Sequence, residues 1–232
     1  MHADRTAALY ERRLEAARVT KGASKSAVYQ MLLDAAAGVL KPGTHVLEFG
    51  AGTGSLIGML RESGFDGAIT GADILPKPEL PGTGVSWIEG DLNERLPAAD
   101  ASFDAIISTE VIEHLENPRA VFREFRRLLR PGGALLVTTP NQESLRSLLS
   151  LFVRGHHVDF LDGSYPAHIT ALVRTDFVRL CAENGFERPQ VHYSNAGGLP
   201  GAPYVSWQQV SAGLLKGRLF SDNVAMVSRK RA

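Results

Sequence analysis

The chain has 232 residues, 44% of them apolar, and 25 Lys plus Arg balance 25 Asp plus Glu. That length suits one domain with a well-buried core, and zero net charge removes the long-range attraction expected of a protein whose partner is a long nucleic acid. A single cysteine, Cys181, excludes an internal disulfide and fits a reducing compartment; its apolar setting of Phe177, Val178 and Leu180 marks it as core rather than nucleophile.

In chain order, Met1 to Arg18 carries charges throughout, with no apolar leader, and no stretch reaches the roughly 18 apolar residues of a membrane span. A cytoplasmic protein is expected. Residues 5–18 read as a polar helix and 24–39 as a second, with Val28, Met31, Leu32 and Ala35 on one face and Gly38 near its end. Short apolar runs then alternate with helical segments, which signals βαβ units and a parallel sheet. The strands are Thr44–Phe49, Ala68–Asp73, Val85–Glu89, Phe103–Ser108 and Ala134–Thr138. Asn117 is placed to cap a helix with Pro118 at its first position and Val121, Phe125 and Leu128 on its apolar stripe; Pro131-Gly132-Gly133 is expected to stop it.

Residues 143–153 look helical, and 154–173, with three His and several Gly, Asp and Pro, read as an insertion. Thr175 is expected to cap a helix ending at Asn184-Gly185, a strand follows near Phe186–Tyr193, the Gly- and Pro-rich stretch 194–203 is expected to be loop, and Asn223–Arg229 alternates as a final strand. No linker separates two cores. The expected organisation is an N-terminal helical extension over 1–40 and one domain over 41–232, with a substrate-side insertion at about 141–173.

Residues 46–54, Val-Leu-Glu-Phe-Gly-Ala-Gly-Thr-Gly, run an apolar strand into a glycine-rich turn that opens a helix at Leu56, Ile57, Met59 and Leu60. Such a turn lets a ligand approach the backbone and presents unpaired N–H groups. The dinucleotide fingerprint G-x-G-x-x-G/A is not met, because its third position is Ser55; a dehydrogenase is disfavoured. Glu48-Phe49-Gly50-Ala51-Gly52-Thr53-Gly54 instead resembles the first motif of class I S-adenosylmethionine-dependent methyltransferases. Asp73 in Gly71-Ala72-Asp73-Ile74, Asp91 in Gly90-Asp91-Leu92, Phe103-Asp104-Ala105-Ile106-Ile107-Ser108 and Leu129-Arg130-Pro131-Gly132-Gly133 resemble the later motifs, in family order.

The resemblance implies a Rossmann-like, doubly wound, mostly parallel seven-stranded α/β sheet that binds S-adenosylmethionine. It implies a cofactor site of Glu48, Gly50, Ala51, Gly52, Gly54, Asp73, Ile74, Asp91, Leu92 and Ser108. Asp73 would take the ribose hydroxyls, a vicinal diol matched to two carboxylate oxygens. Asp91 would take the adenine amine with Leu92 on the ring, and Glu48 would face the cationic end.

Residues 109–118, Thr-Glu-Val-Ile-Glu-His-Leu-Glu-Asn-Pro, follow the fourth strand, at the carboxyl end of the sheet where such folds bind ligands. In a helical turn Glu110, Glu113 and His114 share a face while Val111 and Leu115 turn to the core. Glu-Val-Ile-Glu-His resembles the equivalent stretch of ubiquinone-biosynthesis O-methyltransferases and of small-RNA 3′-terminal 2′-O-methyltransferases. In the RNA group that stretch gives two Glu and one His to a magnesium ion and a later His completes the site. Here His168 takes that place, with His156 and His157 as rivals. The resemblance implies a divalent site of Glu110, Glu113, His114 and His168; an oxygen and nitrogen set of this kind does not name the metal. The alternatives are His114 as a metal-free general base, or a structural role.

Phe152, Phe160, Tyr165, Tyr193, Tyr204 and Trp207 are candidates for a lid over a ring or sugar, or for satellite packing. Arg123, Arg126, Arg127 and Arg130 form a stripe that reads as a solvated face. The expected function is S-adenosylmethionine-dependent methylation of a hydroxyl on a small molecule (catechol-like, sugar or secondary metabolite), with Glu110, Glu113 and His114 catalytic. Alternatives are an RNA 3′-end 2′-O-methyltransferase, against which the neutral charge argues, and a non-catalytic cofactor-binding module. The acceptor and the oligomeric state are not encoded in any motif.

Overall fold

The computed structural model describes residues 10–18 and 22–232; the expected helix start at 5–9 lies outside them. Residues 10–18 form helix α1. The remaining helices are α2 (Ser26–Ala37), α3 (Ser55–Glu62), α4 (Pro118–Leu128), α5 (Leu145–Arg154), α6 (Arg174–Glu183) and the single turn α7 (Trp207–Val210). The strands are β1 (Val46–Phe49), β2 (Ile69–Asp73), β3 (Ser86–Glu89), β4 (Phe103–Thr109), β5 (Leu129–Pro140), β6 (Gln190–Tyr193), β7 (Gly198–Leu199), β8 (Ala202–Ser206) and β9 (Asn223–Arg229).

Seven strands form one sheet in the order β3-β2-β1-β4-β5-β9-β6. The first five are parallel; β9 runs antiparallel between β5 and β6. The inner strands are buried on both faces, and alternation divides their side chains between two cores. Leu47 and Ile106 meet Phe122 and Phe125 of α4 and Phe177 and Leu180 of α6 on one face. Val46 and Ile107 meet Val28 and Leu32 of α2 and Leu56, Ile57 and Leu60 of α3 on the other. This is the doubly wound, mostly parallel sheet expected. Strand order reverses between β1 and β4, so the loops after their carboxyl ends part and leave a crevice. Among the described residues no helix is long and apolar enough to cross a membrane.

Local chemistry explains the element ends. The Asn117 side chain accepts the Ala120 N–H at 3.1 Å, with Pro118 opening α4. Cys181 is buried, and burial pushes its thiol up to about 11, consistent with a core position.

Several boundaries differ from expectation: β6 begins at Gln190 rather than near Phe186, which makes only an isolated bridge to Lys230, and three further differences have a clear cause. Pro131-Gly132-Gly133 lies inside β5, which already begins at Leu129 opposite Phe103; a register shift before the Ala105–Ala134 pair absorbs the triplet within the strand. Helix α6 begins at Arg174, not after Thr175, because the Asp176 carboxylate accepts the Val173 N–H at 3.1 Å and fixes the cap two residues earlier. Within 194–203, Gly198–Leu199 pairs with Ala202–Ser206 as a small hairpin through Gly201 at φ 77°, so that stretch is not all loop. Finally, Arg127 pairs with Glu124 and Asp100, Arg130 pairs with Asp104, and Arg126 donates to the carbonyls of Asn184 and Gly185. These arginines are engaged within the chain rather than displayed as a free basic stripe.

Candidate active site

The loop from β1 to α3 is held from two sides. Gly50 sits at φ 85°, and a Cβ there would lie 2.2 Å from Val111 Cγ2. Gly52 sits at φ 48°, and its Cβ would lie 2.7 Å from the backbone of Gly22. Both positions therefore require glycine for conformation and for space. Asp73, the last residue of β2, accepts the Gly52 N–H through Oδ2 at 2.7 Å and the Leu75 N–H through Oδ1 at 2.9 Å. Each oxygen keeps lone-pair capacity beyond these bonds. Burial raises the Asp73 carboxyl above the usual range, while those backbone donors pull it back. Glu48, on the adjacent strand β1, is 3% exposed; burial, and then the Asp73 charge, hold its carboxyl well above the ordinary range. Its Oε2 is buried without a hydrogen-bond partner.

Asp91 follows β3. Its Oδ1 accepts from the backbone and side-chain amides of Asn93, both at 2.9 Å, and its Oδ2 pairs with Arg13 of α1, which also reaches Glu116 at 2.7 Å. A cavity of about 430 Å³ opens here. Gly50, Asp73, Ile74, Asp91 and Leu92 line one part; Thr109, Glu110, Glu113, His114 and His168 line another, and Arg13 and Lys25 contribute from the N-terminal side. Glu48, Ala51, Gly52, Gly54 and Ser108 are not on the wall; Ser108 is fully buried, with its hydroxyl unpartnered.

After β4 the chain turns sharply. Glu110 takes φ 55°, a left-handed value uncommon outside glycine, and Ile112–His114 forms a 3-10 turn. Val111, Ile112 and Leu115 enter the core. Glu113 is 1% exposed; its Oε2 accepts from Thr139 Oγ1 at 3.3 Å and its Oε1 is buried without a partner. Burial, then the neighbouring Glu110, hold its carboxyl well above the ordinary range. The segment before α6 reaches this turn directly. The N–H groups of Ile169 and Thr170 donate to the Glu113 carbonyl at 2.9 and 3.0 Å, which carries His168 to His114 with ring centroids 4.7 Å apart.

His114 Nδ1 lies 2.8 Å from the Ala167 carbonyl and His168 Nδ1 lies 2.5 Å from the Asp159 carbonyl. A carbonyl only accepts, so both rings carry a proton on Nδ1, and Nε2 is the nitrogen left free to act as a ligand. Burial, then His168, lower the His114 ring to about 4, against the opposing pull of the Ala167 and Glu110 carbonyls. One ligand atom from each of Glu113, His114 and His168 falls within a group spanning no more than 4.8 Å.

Glu110 is not part of that group. Its Oε2 accepts from Asn223 Nδ2 at 2.7 Å, its N–H donates to Thr138 Oγ1 at 3.0 Å, and its Oε1 is buried without a partner. Burial and then Asp159 push Glu110 up to about 7, with Thr138, Lys25 and Asn223 opposing.

The rival histidines stand elsewhere. His157 Nδ1 meets Ser147 Oγ at 2.9 Å, His156 Nδ1 meets the His157 carbonyl at 3.1 Å, and neither lines the cavity. None of the six candidate lid aromatics lines it either. Phe152, Tyr165 and Tyr204 are exposed, Trp207 packs on Phe220, and Phe160 lies 5.5 Å from the His168 ring. Sequence reasoning did not single out Arg13, Lys25, Asp159 or Asn223, which line the cavity. Asn223 is paired opposite Pro140 at the first residue of β9, so its place follows from strand register rather than from a local motif.

Known proteins set this geometry in context. Malonyl-(acyl-carrier protein) O-methyltransferase of Hahella chejuensis is 32% identical over 109 residues, which span 44% of this chain and 39% of that protein. Ubiquinone biosynthesis O-methyltransferase of Cereibacter sphaeroides is 32% identical over 108 residues, spanning 43% of this chain and 42% of that protein. The match thus spans less than half the length of either relative. The crystal structure of 1,6-didemethyltoxoflavin-N1-methyltransferase of Burkholderia thailandensis, with 1,6-didemethyltoxoflavin and S-adenosylhomocysteine bound, has a TM-score of 0.63 over 100% of this chain and 91% of that one, at 15% identity. That likeness is one of fold: the Rossmann-like sheet of class I S-adenosylmethionine-dependent methyltransferases. The methyltransferase domain family matches residues 23–191, and this chain belongs to it.

Proposed function

We propose that this chain transfers the methyl group of S-adenosylmethionine to a hydroxyl of a small acceptor bearing two neighbouring hydroxyls, with a divalent ion held by Glu113, His114 and His168. The observation that carries this reading is the convergence of those three ligand atoms within 4.8 Å in the same cavity as Gly50, Asp73 and Asp91. The residues suit an ion. Glu113 Oε1 is buried and unpartnered, and both imidazoles are fixed by carbonyls in the tautomer that leaves Nε2 open. The O-methyltransferase names of the two curated relatives support oxygen as the atom methylated.

Asp73 and Asp91 would hold the ribose and the adenine amine, and the backbone of the Gly50–Gly54 loop would lie along the ligand. The cofactor's ammonium group would favour the ionised form of Glu48 against the burial that raises its carboxyl, acting across the Gly50 turn because Glu48 is itself off the cavity wall. Methyl transfer is a displacement at the sulfonium methyl, and its main demand is alignment of the incoming oxygen behind that carbon. A bound divalent ion lowers the pKa of a coordinated hydroxyl and fixes its direction. Three protein ligands leave coordination positions for two substrate oxygens, which favours a vicinal pair.

The deciding experiment is mass spectrometry of reactions with a catechol, its monophenol, a sugar diol and an RNA 3′ end, each with excess chelator or with added Mn(II) or Mg(II). The reading expects a single added methyl on the catechol or diol, little on the monophenol, and loss with chelator that the ion restores. Full activity in chelator, with no metal by elemental analysis, overturns the metal and leaves His114 as a plain base. Methylation of RNA alone overturns the acceptor class.

A further inference from the structure

We propose that Glu110 receives the acceptor hydroxyl rather than the metal, and that Asn223 is the residue that positions it; this rests on the reading above. Three strands meet at this side chain. Glu110 follows β4 in a left-handed conformation, its N–H donates to Thr138 Oγ1 on β5, and its Oε2 is held by Asn223 Nδ2 on β9. A strained backbone persists where its surroundings over-determine it, and here two side chains from neighbouring strands do so.

The consequence is a division of the carboxylate. Oε2 is committed to the amide. Oε1 is buried without a hydrogen-bond partner, and Glu110 lines the cavity that holds the metal candidates. A buried carboxylate oxygen needs a donor. Glu113, His114 and His168 form the ion's cluster without Glu110. The group left to supply that donor is a hydroxyl of the substrate. Asn223 suits the positioning task because it is only 5% exposed and its amide offers N–H donors. An aspartate there would set a second carboxylate against the first. The arrangement separates two jobs: Glu113 faces the ion, and Glu110 orients the oxygen that the methyl group meets.

The test uses the intact chain, Mn(II) as the metal probe and 3,4-dihydroxybenzoate as the catechol. Free Mn(II) is read by electron paramagnetic resonance, and calorimetry with S-adenosylhomocysteine reports that each variant is folded. Removing a true ligand should weaken Mn(II) binding about tenfold or more in Glu113→Gln, whereas Glu110→Gln and Asn223→Ala should stay within about threefold of wild type. Those same two variants should lose about tenfold or more in kcat, with KM for S-adenosylmethionine within about twofold. A merely structural Asn223 would move cofactor affinity along with kcat. Mn(II) binding as weak in Glu110→Gln as in Glu113→Gln overturns the inference and leaves the metal reading intact. Unchanged kcat in both variants also overturns it. A wild-type chain that binds no Mn(II) removes the metal reading and the division of labour together. A wild type that leaves the catechol unmethylated removes the acceptor class and the hydroxyl contact with it.

Discussion

Arg13 and Asp91, 78 residues apart, form an ion pair that lays helix α1 against the part of the cavity lined by Asp73 and Asp91. The guanidinium side chain is 19% exposed and the Asp91 carboxylate 10%, so solvent screens the pair only in part. Glu116 takes the second arm at 2.7 Å. If Asp91 binds the adenine amine, Arg13 closes over the same group. Arg13→Ala should then speed dissociation of S-adenosylhomocysteine about threefold or more, since a charge-assisted hydrogen bond contributes about 1.5–3 kcal/mol. Stopped-flow displacement measures this, and an unchanged rate would remove α1 from the cofactor's cover.

The oxygens of Asp73 already bind the Gly52 and Leu75 N–H groups and would share their remaining capacity with the ribose. Asp73→Asn keeps the shape and replaces one acceptor with a donor. S-adenosylmethionine affinity should fall about tenfold, equivalent to roughly 1.4 kcal/mol. Calorimetric affinity within a factor of about two of wild type would sink the ribose assignment.

Gly50 and Val111 form a packing pair whose coupling is measurable. Gly50→Ala places a Cβ 2.2 Å from Val111 Cγ2 at φ 85°, so it suffers both a clash and backbone strain. Val111→Ala removes the two methyl groups that clash, leaving its Cβ 3.2 Å away, and leaves the strain. The double variant should therefore be more stable than the sum of the single changes predicts, by about 0.5–3 kcal/mol in a denaturant cycle. Strict additivity would show that the clash is relieved by movement of the loop itself.

How far the sequence foretold this molecule differs by level. Strands β1, β2, β4 and β9 and helix α4 carry their own signals: apolar runs into glycine, a cap at Asn117, a stripe at Val121, Phe125 and Leu128. These depend on neighbours in sequence, and the structure places them within a few residues of expectation. Where expectation failed, one specific bond decided, across the sheet in the first case and within a single capping turn in the second. Leu129 joined β5 because Phe103 lay opposite, and α6 began early because Asp176 captured the Val173 N–H. The site divides similarly. Glu113 and His114 are visible as a local pattern, and His168 was one of three histidines until the Glu113 carbonyl tied down Ile169 and Thr170. Asn223 and Arg13 had no local pattern to announce them, because each acts on a partner 113 or 78 residues away.

The buried acids give the cofactor- and metal-free protein an unusual response to pH. Glu110 is pushed up to about 7 from an ordinary 4.5, and Glu48 and Glu113 are held well above 4.5, in each case first by burial. Asp73 and Asp159 shift the same way. Above pH 4.5 the unfolded chain releases these protons while the folded chain keeps them. The native state then binds more protons, and stability falls as pH rises. His114 acts oppositely: its ring is lowered from 6.5 to about 4, so its contribution grows across that interval and is complete above about 6.5. From pH 6.5 to 8 Glu110 carries the clearest remaining change, with a slope of up to about 1.4 kcal/mol per unit until it ionises near 7; Glu48 and Glu113 act in the same direction, and the lowered rings of His45 and His157 oppose them only at the acid end of the window. The melting temperature should therefore decline across that window in chelator. Glu110→Gln should flatten the part near pH 7, because an amide has no proton to lose. Saturating Mn(II) should also flatten it, since the ion favours the deprotonated Glu113 and releases its proton on binding. Differential scanning calorimetry from pH 6.5 to 8 makes the comparison, and a melting temperature that holds level or rises in chelator would show that these carboxylates are already ionised in the folded chain.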